Sequence, residues 1–146
     1  MTADDQVRLI AQLKSDEGCV LYAYTDSSPL HLITIGYGRL LDHRKGGGIS
    51  EYEAEFLLAN DLKKIEIQLA PFNWFQIQDS VRQAALTMMS YNLGVAGLLH
   101  FPQFLLHMGK QEYPEAVAQL VGTPWHNVVG ARAVRIETML ASGAWP

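Results

Sequence analysis

The chain of 146 residues has one cysteine, Cys19, so no disulfide can form within it. At this length a buried apolar core can support folding without one. Long apolar runs are missing, which argues against a transmembrane helix. The opening residues, Met1-Thr2-Ala3-Asp4-Asp5, are acidic and lack the apolar stretch of a secretory signal. The expectation is synthesis in a reducing cytoplasm. Positive charge is scarce: 11 basic residues face 15 acidic ones, a net charge of −4. The basic residues are scattered apart from Arg44-Lys45 and Lys63-Lys64, which speaks against a nucleic-acid partner. His31, His43, His100, His107 and His126 show no zinc spacing with Cys or Glu. Gly36 and Gly38 are not followed by the Lys-Ser/Thr of a phosphate loop. No metal and no cofactor are expected, and there is no internal repeat.

What is present is an ordinary globular composition, 49% apolar and 18% charged, which argues against disorder. A first helix is expected from about Thr2 or Asp4, with Ile10, Leu13 and Glu17 on one face and Gly18 as its C-terminal stop. Alternation from Cys19 to Tyr24 predicts a strand, Thr25 to Pro29 a turn, and Leu32 to Ile35 a second strand paired antiparallel to the first. Gly36-Tyr37-Gly38 is its flexible exit. Ser50 and Glu53 form a capping box opening a long helix, with Ala54, Leu57, Leu58, Leu62, Ile65 and Leu69 as its stripe and Pro71 as its stop. Beyond residue 74 only helices are expected: one from Asp79 or Ser80 to about Asn92, apolar on most sides, then shorter ones beginning near Pro102, Pro114 and Gly130.

Glu17 continues the apolar face of Ile10 and Leu13, where desolvation would raise its pKa. The negative end of the helix dipole acts the same way, and both favour a protonated general acid. The alternative is a solvated glutamate on a fraying last turn. Asp26 sits among Thr25, Ser27 and Ser28, a polar setting that keeps a carboxylate ionised and fit to act as a base. Its alternative is an Asx turn capping its own backbone. One carboxyl tuned up and one left low is the arrangement that glycoside hydrolysis uses.

As an ordered set, Asp16-Glu17-Gly18, Tyr24-Thr25-Asp26 and Thr34-Ile35-Gly36-Tyr37-Gly38 resemble the D-E-G, Y-x-D and T-I-G-x-G segments of the phage lysozymes of the T-even type, glycoside hydrolase family 24. Ile49 to Leu62, Asp79 to Leu86, Asn92 to Gly97 and Trp125 to Trp145 continue the resemblance over nearly the whole chain. It implies an α+β, lysozyme-like fold over residues 1–146. A lobe with a small antiparallel sheet (1–50) is joined by a connecting helix (51–70) to a mostly helical lobe (71–146). It further implies hydrolysis, with inversion, of the β-1,4 bond between N-acetylmuramic acid and N-acetylglucosamine in bacterial peptidoglycan. Glu17 would be the general acid, Asp26 would activate or orient the water, and Thr34 would help hold it. Leu40, Tyr91, Phe104 and Gln119 match positions that line the saccharide cleft, and Arg132 matches an arginine that approaches the glutamate. Asp61 falls within an apolar stripe and needs a partner; Arg39, at a position where the family often has a histidine, is expected to pair with it. The resemblance also implies a monomer held in the host cytoplasm until a holin opens the membrane.

Two departures stand out. Asp26 to Thr34 is two residues longer than the usual spacing, and the loop from Leu41 to Gly48 is much shorter. The longer hairpin motivates one alternative, an impaired member of the fold that binds saccharide without turnover; a second alternative is a protein-interaction module.

Overall fold

Local sequence chemistry sets the element boundaries. The computed structural model describes residues 1–146, except for the side chain of residue 5. Helix α1 (Ala3–Glu17) ends where Gly18 turns to φ +66°, the left-handed conformation glycine adopts without penalty. Strand β1 (Val20–Thr25) pairs antiparallel with β2 (Ile33–Gly36), and β2 with a third strand, β3 (Arg39–Leu40), giving the order β1-β2-β3. The third strand was not expected, because two residues carry no readable alternation. The β1–β2 register shifts between Val20 and Tyr24, so β1 bulges before its last pairs, Tyr24 with Thr34 and Thr25 with Ile33. A short 3-10 turn (His43–Lys45) follows, capped by Asp42.

Helix α2 (Glu51–Leu69) starts at the expected capping box. Glu53 N–H donates to Ser50 Oγ at 3.3 Å, and Ser50 N–H donates to Glu53 Oε2 at 2.8 Å. The expected apolar stripe is buried only at its far end. Leu69 is fully buried and Ile65 packs on the core, whereas Leu57 and Leu58 stay 50% and 44% exposed. Then come α3 (Asn73–Gln76), α4 (Ser80–Leu98), α5 (Pro102–Lys110), α6 (Tyr113–Ala118), α7 (Pro124–Val129) and α8 (Ala131–Ser142). Asp79 caps α4 by accepting from the Val81 and Arg82 amides, and Pro102 and Pro124 stand at helix starts, where a missing N–H costs nothing. The chain forms two compact units, Met1–Glu55 and Phe56–Pro146. The fold is α+β, with one small antiparallel sheet in a mostly helical chain.

The core belongs to the helical unit. Leu86 and Met89 of α4, Phe104 and Met108 of α5, Leu120, and Ile136 and Leu140 of α8 are almost wholly buried. Several polar groups inside it are partnered. Glu137 accepts from or shares a proton with His126 across 2.7 Å, and Trp125 Nε1–H donates to Asn92 Oδ1 at 3.1 Å. Among the described residues no helix is long and apolar enough to cross a membrane.

Two outcomes follow from this packing. Leu86→Ala should destabilise the chain by about 2–5 kcal/mol, the range for a fully buried leucine, read by denaturant unfolding. In the sheet unit, Asp42 is buried, and its hydrogen bonds from Arg44 hold its pKa down at about 2. Its stabilising contribution is therefore complete above the ordinary carboxylate value of 3.8 and lost as pH falls through about 2. Melting wild type beside Asp42→Asn from pH 5 to pH 2 should show a gap that closes with acid.

Candidate active site

Each catalytic candidate in the sheet unit is placed by a specific backbone device. Glu17 is the last residue of α1, and Gly38 in the β2–β3 turn lies against it: a β-carbon built on Gly38 would stand 3.4 Å from Glu17 Oε2. Gly38 has φ +75°, so glycine serves both the turn and the approach of the carboxylate. The same turn carries Tyr37, whose ring lies 5.8 Å below Lys14 Nζ, one helical turn before Glu17. A hydrogen bond between the Cys19 and Tyr37 side chains raises the phenol pKa above its usual value. Lys14, Cys19, Tyr37 and Gly38 thus join the end of α1 to the sheet. None of the four was singled out from sequence for this role, since only the fold brings them together. The expected burial of Glu17 is not found. It is exposed, and Ile10 and Leu13 on the same face are 47% and 46% exposed.

Asp26 follows β1 and organises the loop to β2. Its Oδ1 accepts three hydrogen bonds: Ser28 N–H at 3.2 Å, Ser28 Oγ–H at 2.7 Å and Leu32 N–H at 2.9 Å. Its own N–H donates to Leu32 O at 2.9 Å and closes the loop. The Ser28 hydroxyl is the leading cause that holds the Asp26 pKa below 3.8. Oδ2 accepts no hydrogen bond from the described residues. The two oxygens of Asp26 are therefore placed differently. One builds an Asx turn, and the other is open to water on an ionised carboxylate. The extra length of the hairpin is folded onto Oδ1 rather than left hanging.

Thr34 lies in the middle strand between Tyr24 of β1 and Leu40 of β3, and only 6% of it is exposed. Its Oγ1 is 3.5 Å from Tyr24 O, too long for a firm bond, so the hydroxyl remains available to another acceptor or donor. Leu40 is half-buried, with Gly47 pressed against it.

Arg39 and Asp61 belong to different compact units, and each is paired within its own. Arg39 pairs with Glu53 through both terminal nitrogens and donates to Gly48 O from Nε at 3.2 Å, while Asp61 pairs with Lys64 at 3.2 Å. Each charge takes the partner supplied by its own neighbourhood, the helix cap for Arg39 and the next turn of α2 for Asp61. Phe104 corrects an expectation of a cleft contact. It is 1% exposed in the helical core, so its ring offers no surface to a saccharide and serves packing. In the same unit Tyr91 is half-exposed on α4, and Gln119 is exposed at the end of α6. Arg132 is exposed on α8, beside a hollow of about 430 Å³ lined also by Asn92 and Trp125. Among the described residues no group of three His, Cys, Asp or Glu side chains is placed to hold a metal ion.

Comparison with known proteins identifies the family. The family model described as phage lysozyme matches residues 14–137, a span that includes Glu17, Asp26, Thr34 and most of the helical core. The chain belongs to the phage lysozyme family. It is also 25% identical over 156 aligned positions to a protein named "Probable T4-type lysozyme 1" from Dictyostelium discoideum, covering 90% of this chain and 92% of that one.

The glycine turn yields a matched pair of variants. Gly36 and Gly38 both have positive φ, but a β-carbon on Gly36 meets nothing within 4 Å. Alanine at either position should cost about 1–2 kcal/mol of stability. Only Gly38→Ala, whose methyl contacts the Glu17 carboxyl, should also lower lysozyme activity severalfold. Melting temperatures beside cell-lysis rates check this, and equal activity losses in both variants would separate Gly38 from Glu17.

Proposed function

We propose that the chain is a muramidase that hydrolyses the β-1,4 bond between N-acetylmuramic acid and N-acetylglucosamine. Glu17 gives its proton to the glycosidic oxygen as the bond to the sugar C1 breaks. Water attacks C1 from the opposite face, and the Asp26 carboxylate takes its proton through Oδ2. Thr34 Oγ1 holds that water from the neighbouring strand. Attack opposite the leaving group inverts the anomeric centre. The observation that carries the reading is the split role of Asp26, with one oxygen fixed by three hydrogen bonds and the other free on an ionised group. Membership of the phage lysozyme family and the name of the Dictyostelium relative support it. Leu40, Tyr91 and Gln119 are proposed to contact the glycan, and Arg132 to act near Glu17. In the same proposal the protein works as a monomer in host-cell lysis, released from the host cytoplasm through a holin.

One observation favours a second reading, an impaired lysozyme that binds saccharide. The hairpin that engages Asp26 Oδ1 is the longer one, and Ser28, which makes two of the three bonds, lies in it. The test is turbidity loss of outer-membrane-permeabilised Gram-negative cells, with mass spectrometry of the released fragments. Wild type should release muropeptides with reducing ends, and Glu17→Gln should be slower by about 10²–10⁴, the worth of a general acid. Anhydro ends would mean lytic transglycosylation. No release by well-folded wild type would replace hydrolysis with the binding reading.

A further inference from the structure

A second polar groove lies wholly within the helical unit, between α2 and α4. Its volume is about 480 Å³, inside the roughly 300–1,000 Å³ range of small-molecule sites. Asp61, Lys64 and Gln68 line it from α2; Ser90, Tyr91 and Gly94 line it from α4. Gly94 breaks the helical path of α4 with φ 73° and ψ 155°. Ser90 stands one turn earlier.

Ser90 behaves unlike its neighbour on the same helix. A mid-helix serine or threonine commonly donates to the carbonyl four residues before it. Thr87 does so, to Gln83 O at 2.9 Å. Ser90 is 1% exposed, and its Oγ has no hydrogen-bond partner. Buried polar atoms without partners are rare in native proteins and call for a missing donor or acceptor. The rest of the lining limits what that could be. Asp61 and Lys64 pair with each other at 3.2 Å, so the groove carries one charge of each sign and attracts no net-charged ligand. The Gln68 side chain is exposed and makes no hydrogen bond to the described residues, leaving a free donor and a free acceptor. The Tyr91 ring is half-exposed beside them. An aromatic face with neutral donors and acceptors around it suits an uncharged, hydroxyl-rich ring.

We propose that this groove is a saccharide subsite that takes one sugar ring of the wall glycan. The ring lies against Tyr91, with hydrogen bonds to the Gln68 amide and the Ser90 hydroxyl. The choice of a wall sugar as the occupant rests on the lysozyme reading above; the groove itself does not. Gln68 and Ser90 then determine affinity for the glycan and take no part in bond cleavage.

The test uses the full chain carrying Glu17→Gln, so that binding is read without turnover, titrated with tri-N-acetylchitotriose and followed by amide NMR. Saturable shifts should centre on Gln68, Ser90 and Gly94. Gln68→Ala, a change at an exposed position, should weaken binding about threefold to tenfold, as should Ser90→Ala, the worth of one neutral hydrogen bond each. In the Glu17 background of wild type, Gln68→Ala should raise KM for soluble glycan and leave kcat unchanged. Shifts that avoid these residues, or affinity unchanged in both variants, overturn the subsite. Hydrolysis by wild type without binding here leaves the muramidase standing alone. Binding here without hydrolysis keeps the subsite and removes the muramidase.

Discussion

The Glu53 carboxylate is where three parts of the sheet unit meet. It closes the capping box of α2 by accepting from the Ser50 amide and hydroxyl, and it takes the Arg39 guanidinium from β3. Arg39 in turn donates to Gly48 O, so the strand, the loop and the helix start share one cluster. These bonds, with the Ser50 amide foremost, hold the Glu53 pKa below its usual value. Each is modest on a surface, where one exposed ion pair is worth at most about 1 kcal/mol. Their value here is geometric. β3 is two residues long and pairs Thr34 with Leu40, so a strand too short to hold its own register is held from outside by Arg39. The β2–β3 turn, and with it Gly38 against Glu17, depends on that register.

Asp26 applies the same economy to the other side of the sheet. A carboxylate has two oxygens and about four acceptor positions. Three bonds converge on Oδ1, which fixes the direction of Oδ2 without occupying it. The Ser28 hydroxyl that lowers the pKa also builds the loop, so the ionised state and the geometry share a cause. Glu17, at the end of α1, is exposed and has no apolar pocket around it.

Much of this was legible in the sequence where short-range rules apply. Gly18, the Ser50–Glu53 box and Pro102 each mark a break or a cap that the structure keeps. Such features depend on residues within a turn of each other, so composition and spacing are enough to find them. Partner choice was not legible. Arg39 had several acidic residues available, and nothing in the sequence ranked Glu53 above Asp61. Phe104 and Tyr91 were both aromatic candidates for the cleft; only packing shows that one is interior and the other half-exposed. The glycine approach at Gly38 needed the turn itself, because a β-carbon's clearance is a property of the fold.

The polar groups inside the helical unit show where stability ceases to explain the residues present. Thr87 spends its hydroxyl on its own helix, the Trp125 indole on Asn92, and Glu137 is matched by His126. Gln78 leaves its Oε1 unbonded, but its amide joins Trp74 O to Met108 O, so the oxygen is the remainder of a useful group. Ser90 has no such compensation. An unpaired buried hydroxyl costs about 1–3 kcal/mol, and alanine at that position would avoid the cost while favouring the helix more strongly. A serine there works against both packing and helix propensity. It becomes useful only when the groove beside it is filled.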